Sequence, residues 1–208
     1  MGVIILTKVI FVRHGQTSWN HAKRYQGHSD IPLNEIGLQQ AAMVAQGLAG
    51  EKISAVYSSD LIRAVQTAEC IAKEHSLQPV VVGEFREINF GLWEGLTYEE
   101  IMATWPEILS AIYAKPGLIL IPEGESFADV QRRTVRGLYR CIENHEEETI
   151  VIVSHGGTMR VLLCDALGLS IENMWSLEQD STAINIVKYF RTTKVVSLVN
   201  DTCHLRSV

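Results

Sequence analysis

The sequence predicts an α/β fold with three layers (α/β/α): a mostly parallel sheet, helices on both faces and a C-terminal antiparallel hairpin. Six short runs rich in β-branched residues are typical of strands, and they lie at residues 8–12, 55–57, 79–82, 149–153, 183–189 and 195–199. Helical patterns separate the first four runs, which is the alternation of a parallel sheet. The link around residues 191–193 is short enough only for an antiparallel hairpin.

Apolar residues at the 3.6-residue helical spacing predict three long helices. The first begins at Asn34, the second near Asp60 and the third at Ser126, where Asp129 completes a variant of the capping box. The predicted buried residues are Leu38, Ala41, Ala45 and Leu48 in the first, Leu61, Val65, Ala68 and Ile71 in the second, and Phe127, Val130, Leu138 and Cys141 in the third.

A chain of 208 residues is expected to form a single domain, residues 1–208. Residues 93–124 fit the strand-helix alternation less well, because tryptophan, tyrosine and proline are concentrated there. We expect a helical insertion over one edge of the sheet. Two interpretations stay open: a satellite apolar cluster, or a lid that selects the substrate.

Composition excludes several kinds of partner. With a net charge of −6 and a pI near 5.6, the chain lacks the basic surface that nucleic acid or an anionic membrane would need. The four cysteines are widely spaced, so neither a zinc site nor a disulfide framework is expected. The N-terminal apolar stretch is typical of a strand and not of a signal peptide. We therefore expect a cytoplasmic protein, and the sequence is compatible with a homodimer.

Two histidines follow two of the predicted strands. His14 comes after the run at residues 9–12, His155 comes after the run at 151–153, and a glycine follows each histidine. Ligands of open α/β sheets bind outside the carboxyl ends of the strands. We therefore expect both imidazoles in one site.

Two arginines and one glutamate make phosphate chemistry the best interpretation of that site. Arg63 lies in the first turn of the second helix, where a cation is slightly unfavourable. With Arg13 it would supply two guanidinium forks suited to a phosphoryl group. A neutral histidine can act as the nucleophile, and neighbouring arginines lower its pKa. A protonated second imidazole would stabilise the phosphoryl oxygens, and Glu87 is the candidate proton donor for the leaving group.

Other chemistries lack their motifs. The sequence contains no GxxxxGK[ST], HExxH, DxDxDG or GxSxG pattern, and the remaining histidines lack the spacing of metal ligands. We therefore expect a site that needs no metal and no cofactor.

Five segments occur in order along the chain: VRHGQTSWN, SSDLIRAVQTA, REINFGLWEG, PEGESFADVQRR and IVSHGGTMR. Together they resemble the histidine phosphatase superfamily, also called the phosphoglycerate mutase-like fold, from about Lys8 to Leu205. One RHG tripeptide is weak support, whereas five segments in order and at workable spacing are strong.

The resemblance implies a role for each matching residue. His14 would carry the phosphoryl group, with Glu87 as the proton donor and Arg13, Arg63 and His155 in the phosphate pocket. Asn20 and the main chain of Gly156 would add contacts to oxygen atoms, and Gln26 and Gly27 match a segment that reaches the substrate. Gln16 stands where many members have glutamate. Both residues occur in the family.

The branch of the family is the next question. Residues 93–124 contain no arginine and one lysine, whereas phosphoglycerate mutases carry a longer insertion there with paired arginines. A phosphatase is therefore expected, most similar to the α-ribazole-5′-phosphate phosphatases of cobalamin biosynthesis. Phosphoserine and broad-specificity phosphatases, a mutase, and an inactive binding domain remain alternatives.

The predicted substrate is a small-molecule phosphomonoester on an uncharged or aromatic body, because residues 93–124 offer Trp93, Tyr98, Trp105 and Tyr113 over the site and almost no cations. The residues expected to select the substrate are Trp93, Tyr98, Trp105 and His204.

Overall fold

Strands and helices alternate along residues 5–206, the part of the chain that the computed structural model describes. The strands are β1 (Ile5–Arg13), β2 (Ala55–Ser58), β3 (Val80–Val81), β4 (Glu148–Ser154), β5 (Ile184–Phe190) and β6 (Lys194–Asp201). The helices are α1 (Ser18–His21), α2 (Glu35–Leu48), α3 (Ile62–Glu74), α4 (Tyr98–Thr104), α5 (Pro106–Ala114), α6 (Phe127–Glu143) and α7 (Gly156–Leu167). Short 3₁₀ turns lie at Gly83–Phe85, Gly91–Trp93, Ile171–Ser176 and Cys203–Leu205.

All six strands join one sheet in the order β3-β2-β4-β1-β5-β6. The pairs β3/β2, β2/β4 and β4/β1 are parallel, and the pairs β1/β5 and β5/β6 are antiparallel. The predicted fold class is confirmed, including the C-terminal hairpin. Because β1 and β4 are parallel neighbours with Arg13 opposite Ser154, the residues that follow these two strands lie at the same edge of the sheet.

Two apolar layers cover the sheet, since successive residues of a strand point to opposite faces. Phe11 of β1 and Ile152 of β4 pack towards α6 and α7, whereas Val12 and Val153 pack towards α2 and α3. Each such side chain, fully buried, contributes about 1.5–3 kcal/mol.

The long helices begin where their capping residues predict. Asn34 caps α2, and Ser126 and Asp129 form the capping box of α6. The expected buried residues of α6 are all buried. In α2 the expectation for Leu38 is wrong, because its side chain is 46% exposed and the buried face rotates to include Val44 and Gly37.

Residues 93–124 form α4, α5 and the turns around them, so the helical insertion is observed. They build a third apolar cluster around Trp93, Ile101 and Leu109, which are fully buried. The cluster also packs against α6 and α7 through Phe127 and Val161. The lid function of these residues stays a prediction.

Within residues 5–206, no helix is both long enough and apolar enough to cross a membrane.

Candidate active site

The site begins where β1 ends against β4. The amide of His14 donates to the carbonyl of Ser154 (2.9 Å), and the amide of Gly15 donates to Oγ1 of Thr67 in α3 (3.1 Å). Gly15 and Gly37 of α2 face each other closely. A Cβ built on Gly15 would lie 2.5 Å from the carbonyl oxygen of Gly37, so only glycine fits there.

The ring of His14 is held in one tautomer. Its Nδ1 lies 2.7 Å from the carbonyl oxygen of Gly15, and a carbonyl can only accept, so Nδ1 carries the proton. Nε2 then keeps its lone pair. His14 is therefore oriented as a nucleophile through Nε2.

His155 lies beside His14, with ring centroids 5.1 Å apart. It occupies the N-cap of α7 and is completely buried. Among the described residues, neither of its ring nitrogens has a hydrogen-bond partner. The parallel pairing of β1 and β4 thus brings the two histidines side by side, as the sequence predicts.

Arg13 and Arg63 each keep a buried nitrogen that has no partner among the described residues. Arg13 donates to the carbonyl of Gln179 (2.6 Å), and Arg63 donates to the carbonyls of Ser29 (2.8 Å) and Gly27 (2.7 Å). Nε of both arginines is buried and has no partner among the described residues. Buried donors without partners are costly unless a ligand satisfies them.

The positive charge in the site comes from Arg13 and Arg63. Burial, with the Arg63 and Arg13 guanidinium groups, holds the pKa of His14 well below its usual value, and the same causes act on the pKa of His155. Burial lowers the pKa of Arg63 to about 10, which still leaves it charged at neutral pH. In the free protein these causes favour the neutral form of both imidazoles, and a protonated His155 beside a bound phosphoryl group stays a prediction.

Glu87 reaches the same site from the loop after β3. Its carboxylate accepts from the amides of Gly157 (3.0 Å) and Thr158 (3.1 Å) in the first turn of α7. Glu87 thus stands at the helix terminus that adjoins His155, within the cavity that His14 lines. This placement fits the predicted proton donor.

The other predicted contacts also meet here. Asn20 forms a capping box with Thr17 at the start of α1, and Oε1 of Gln26 accepts from the Thr17 hydroxyl (2.9 Å). The residues predicted to contact the substrate line one cavity of about 260 Å³ with His14, Arg13, Arg63 and Glu87: Asn20, Gln26, Gly27 and Gly156. His155 lies behind this surface.

We call Arg13, His14, Arg63 and Gly156 the floor of the cavity. The wall consists of basic and aromatic residues further out: Lys23, Arg24, Tyr25, Phe90, Tyr113, Phe127, Arg160 and Trp175. Arg160 donates through Nε to the carbonyl of Leu177 (2.7 Å) and lies over the Trp175 ring, 5.9 Å from its centroid. Sequence reasoning did not single out Arg160, although it ends the SHGGTMR segment one helical turn after Gly156.

The four residues predicted to select the substrate do not line this cavity. Trp93 is fully buried in the third apolar cluster, and Trp105 packs against the same cluster. Tyr98 is 41% exposed on α4, and His204 lies 3.1 Å from the Thr182 hydroxyl. Aromatic composition predicted the segment but not which side of its helices faces the cavity.

Among residues 5–206, no group of three or more His, Cys, Asp or Glu side chains is arranged to hold a metal ion.

Comparison with known proteins agrees with this geometry. Residues 9–202 match the family model of the histidine phosphatase superfamily (branch 1). The chain belongs to that superfamily and is a phosphatase.

Three individual similarities illustrate the match. The chain is 34% identical over 200 residues to Phosphoserine phosphatase 1 of Hydrogenobacter thermophilus, covering 96% of this chain and 95% of that protein. The structure of Bacillus stearothermophilus YhfR superposes with a TM-score of 0.91 at 31% identity, covering 96% of this chain and all of the other. An Escherichia coli K-12 protein proposed to be an alpha-ribazole-5′-P phosphatase superposes with a TM-score of 0.86 at 27% identity, covering 94% and 97%.

Proposed function

We propose that the chain is a metal-independent phosphomonoesterase that works through a phosphohistidine on His14. One observation carries the proposal: Arg13, His14 and Arg63 line one cavity, Nε of both arginines is buried without a partner among the described residues, and the ring of His155 lies 5.1 Å from that of His14. A phosphoryl group at this place would accept hydrogen bonds from the arginines and lie next to the nucleophile.

The reaction then has two balanced steps. The cycle starts with Glu87 protonated: Nε2 of His14 attacks phosphorus, the bond from phosphorus to the ester oxygen breaks, and the leaving alkoxide takes the proton of the Glu87 carboxyl group, which becomes a carboxylate. Water next attacks the phosphohistidine and gives its proton to the Glu87 carboxylate, and the N–P bond breaks to release inorganic phosphate. Arg13 and Arg63 neutralise the phosphoryl oxygens in both steps.

The test is to trap the intermediate. After rapid quenching with a phosphomonoester labelled in its phosphate, the wild type should hold an acid-labile, base-stable adduct. His14→Ala should lose both adduct and turnover, whereas His21→Ala, a change at an exposed histidine outside the cavity, should keep both. Turnover by the His14→Ala protein would overturn the mechanism.

For the substrate we favour a small phosphorylated carboxylic acid, with phosphoserine as the first candidate. The sequence-based preference for an uncharged body assumed few cations over the site. Lys23, Arg24 and Arg160 all line the wall, however, and they come from outside residues 93–124. The similarity to Phosphoserine phosphatase 1 supports the same candidate.

α-Ribazole 5′-phosphate is the second candidate, and it would place the chain in cobalamin assembly. The aromatic part of the wall supports it, since Tyr113 and Trp175 pack with ring centroids 4.9 Å apart and could stack on a planar ring. The similarity to the E. coli protein points the same way.

A panel of phosphomonoesters ranked by kcat/KM decides between the two. Phosphoserine should be favoured tenfold or more, about 1.4 kcal/mol of transition-state binding. Arg160→Gln should reduce that preference, and Arg132→Gln, at an exposed position outside the wall, should not. A tenfold preference for α-ribazole 5′-phosphate would select the second candidate, and efficient interconversion of phosphoglycerates would overturn the phosphatase assignment.

A further inference from the structure

We infer that Arg133 is a positioning residue for Glu87, a role that rests on the proposed function of Glu87 as proton donor. Arg133 lies in α6, does not line the cavity, and its side chain is only 17% exposed. Its guanidinium group holds the backbone of the loop that carries Glu87.

The contacts of Arg133 are unusually concentrated on that loop. Nη1 donates to the carbonyls of Glu84 (2.7 Å) and Arg86 (2.7 Å), and Nη2 donates to the carbonyl of Glu87 (2.8 Å). Nε and Nη2 also donate to the two carboxylate oxygens of Glu125 (3.0 and 2.9 Å). One planar fork therefore fixes three carbonyls within four residues of chain.

Glu125 completes the support by fixing the fork itself. Its carboxylate also accepts from the amide of Asn89 (2.9 Å), two residues after Glu87. Burial alone would raise the pKa of Glu125, but the hydrogen bonds from Arg133 and the Asn89 amide lower it overall. Arg133 and Glu125 thus hydrogen-bond to the backbone of the loop on both sides of Glu87.

The position of the Glu87 carboxylate depends on these hydrogen bonds to the loop. The carboxylate must reach the amides of Gly157 and Thr158 on α7 while its own carbonyl is held from α6. One other side chain touches that carbonyl, since Nε2 of His28 lies 2.9 Å away. If the loop rotates, the proton donor moves away from the leaving oxygen, and proton transfer falls steeply with distance.

A lysine cannot replace this arrangement. Its ammonium group is a single point with three donors, whereas the observed contacts come from three nitrogens of one rigid plane. Arg133→Lys keeps the charge and most of the volume, so it removes the geometry and spares most of the packing.

The experiment measures dependence on the leaving group. p-Nitrophenyl phosphate has a good leaving group that hardly needs a proton, whereas the alkoxide of phosphoserine needs one. The variants are Arg133→Lys, Arg133→Ala and Glu87→Gln, with Arg132→Ala as matched control because the neighbouring Arg132 is 75% exposed and its side chain pairs with Asp129.

We expect kcat/KM, which reports phosphoryl transfer to His14 and not the hydrolysis step shared by all substrates, to fall at least tenfold more for phosphoserine than for p-nitrophenyl phosphate in Glu87→Gln, and at least fivefold more in Arg133→Lys. Arg132→Ala should change neither. Adding Arg133→Lys to Glu87→Gln should not increase the selective loss further. If Arg133→Ala fails to fold, Arg133→Lys and Glu125→Gln carry the test.

An equal fall for both substrates in Arg133→Lys, or no fall, would overturn the inference, because a merely structural role lowers all activities together. An equal fall for both substrates in Glu87→Gln would overturn the proton-donor role as well. The phosphohistidine adduct of His14 is measured separately, so failure of the proposed function is distinguishable from failure of this inference.

Discussion

The floor and the wall of the cavity are built in different ways. Among the floor residues, Arg13 ends β1 and His14 follows it directly, whereas Arg63 and Gly156 lie in the first turns of α3 and α7. Wall residues come from scattered segments, among them the turn after α1, α5, α7 and the 3₁₀ turn at Ile171–Ser176. His14 and Arg63 of the floor are buried, whereas Lys23 and Tyr113 of the wall are exposed. In the proposed function, chemistry and substrate selection are therefore assigned to separate parts of the chain.

The floor should respond alike to every substrate. Arg63→Ala removes a charge-assisted contact worth about 1.5–3 kcal/mol, so kcat/KM should fall roughly 10- to 150-fold for phosphoserine and p-nitrophenyl phosphate alike. Arg24→Ala, in the wall, should affect only substrates with a second anion. Thermal unfolding of both variants checks that each is folded. A loss confined to one substrate in Arg63→Ala would contradict the separation.

Stability should depend on pH through the buried histidines near the floor. In the unfolded chain a histidine gains a proton as the pH falls below about 6.5, whereas folded His14 and His155 stay neutral. The unfolded state then binds more protons than the folded state. As the pH falls below about 6.5, the free energy of unfolding therefore decreases by up to about 1.4 kcal/mol per pH unit for each histidine.

Urea unfolding between pH 7.5 and 5 measures this slope. His155→Gln should make it shallower, because one histidine with a lowered pKa is removed. His204 also has a pKa lowered by burial and contributes to what remains. An unchanged slope in His155→Gln would show that His155 is already protonated in the folded protein.

The wall should give smaller and selective effects. Trp175→Leu removes the ring under Arg160, an interaction worth about 0.5–1 kcal/mol, so kcat/KM for phosphoserine should fall roughly two- to fivefold. With p-nitrophenyl phosphate we expect almost no change. A similar fall in kcat/KM for both substrates would indicate that Arg160 contacts the transferred phosphate, as the floor residues do in the proposed function.

The smallest expected effect is that of metal removal. Because Arg13 and Arg63 supply the positive charge, exhaustive chelation should leave kcat unchanged. Loss of activity that added Mg²⁺ or Zn²⁺ restores would require a metal mechanism instead.

The same contrast explains what the sequence could predict. His14 and His155 follow β-branched runs, and parallel strands bring their carboxyl ends together, so a local pattern was enough to predict their meeting. Arg160, Tyr113 and Trp175 share no spacing, and only packing brings them to one surface. Trp93 was expected in the wall because it is aromatic, but its helical turn faces the third apolar cluster.

Arg133 was missed for another reason. Its partners are mainly backbone carbonyls, and every residue has a carbonyl, so the contact leaves no signature in the sequence. It was present in the PEGESFADVQRR segment next to Arg132, which is exposed. Which of the two arginines is buried against the loop and which is exposed follows only from the packing of α6.

The close approach of Gly15 to Gly37 links reactivity to the order of folding. The carbonyl that orients the His14 ring belongs to Gly15, which packs closely against Gly37 of α2, so its position depends on the docking of α2 beside the end of β1. A nascent or partly folded chain therefore has an imidazole without a fixed tautomer and without its arginines. Phosphoryl transfer is a property of the finished protein, and its appearance during refolding would report the docking of α2 on the strand.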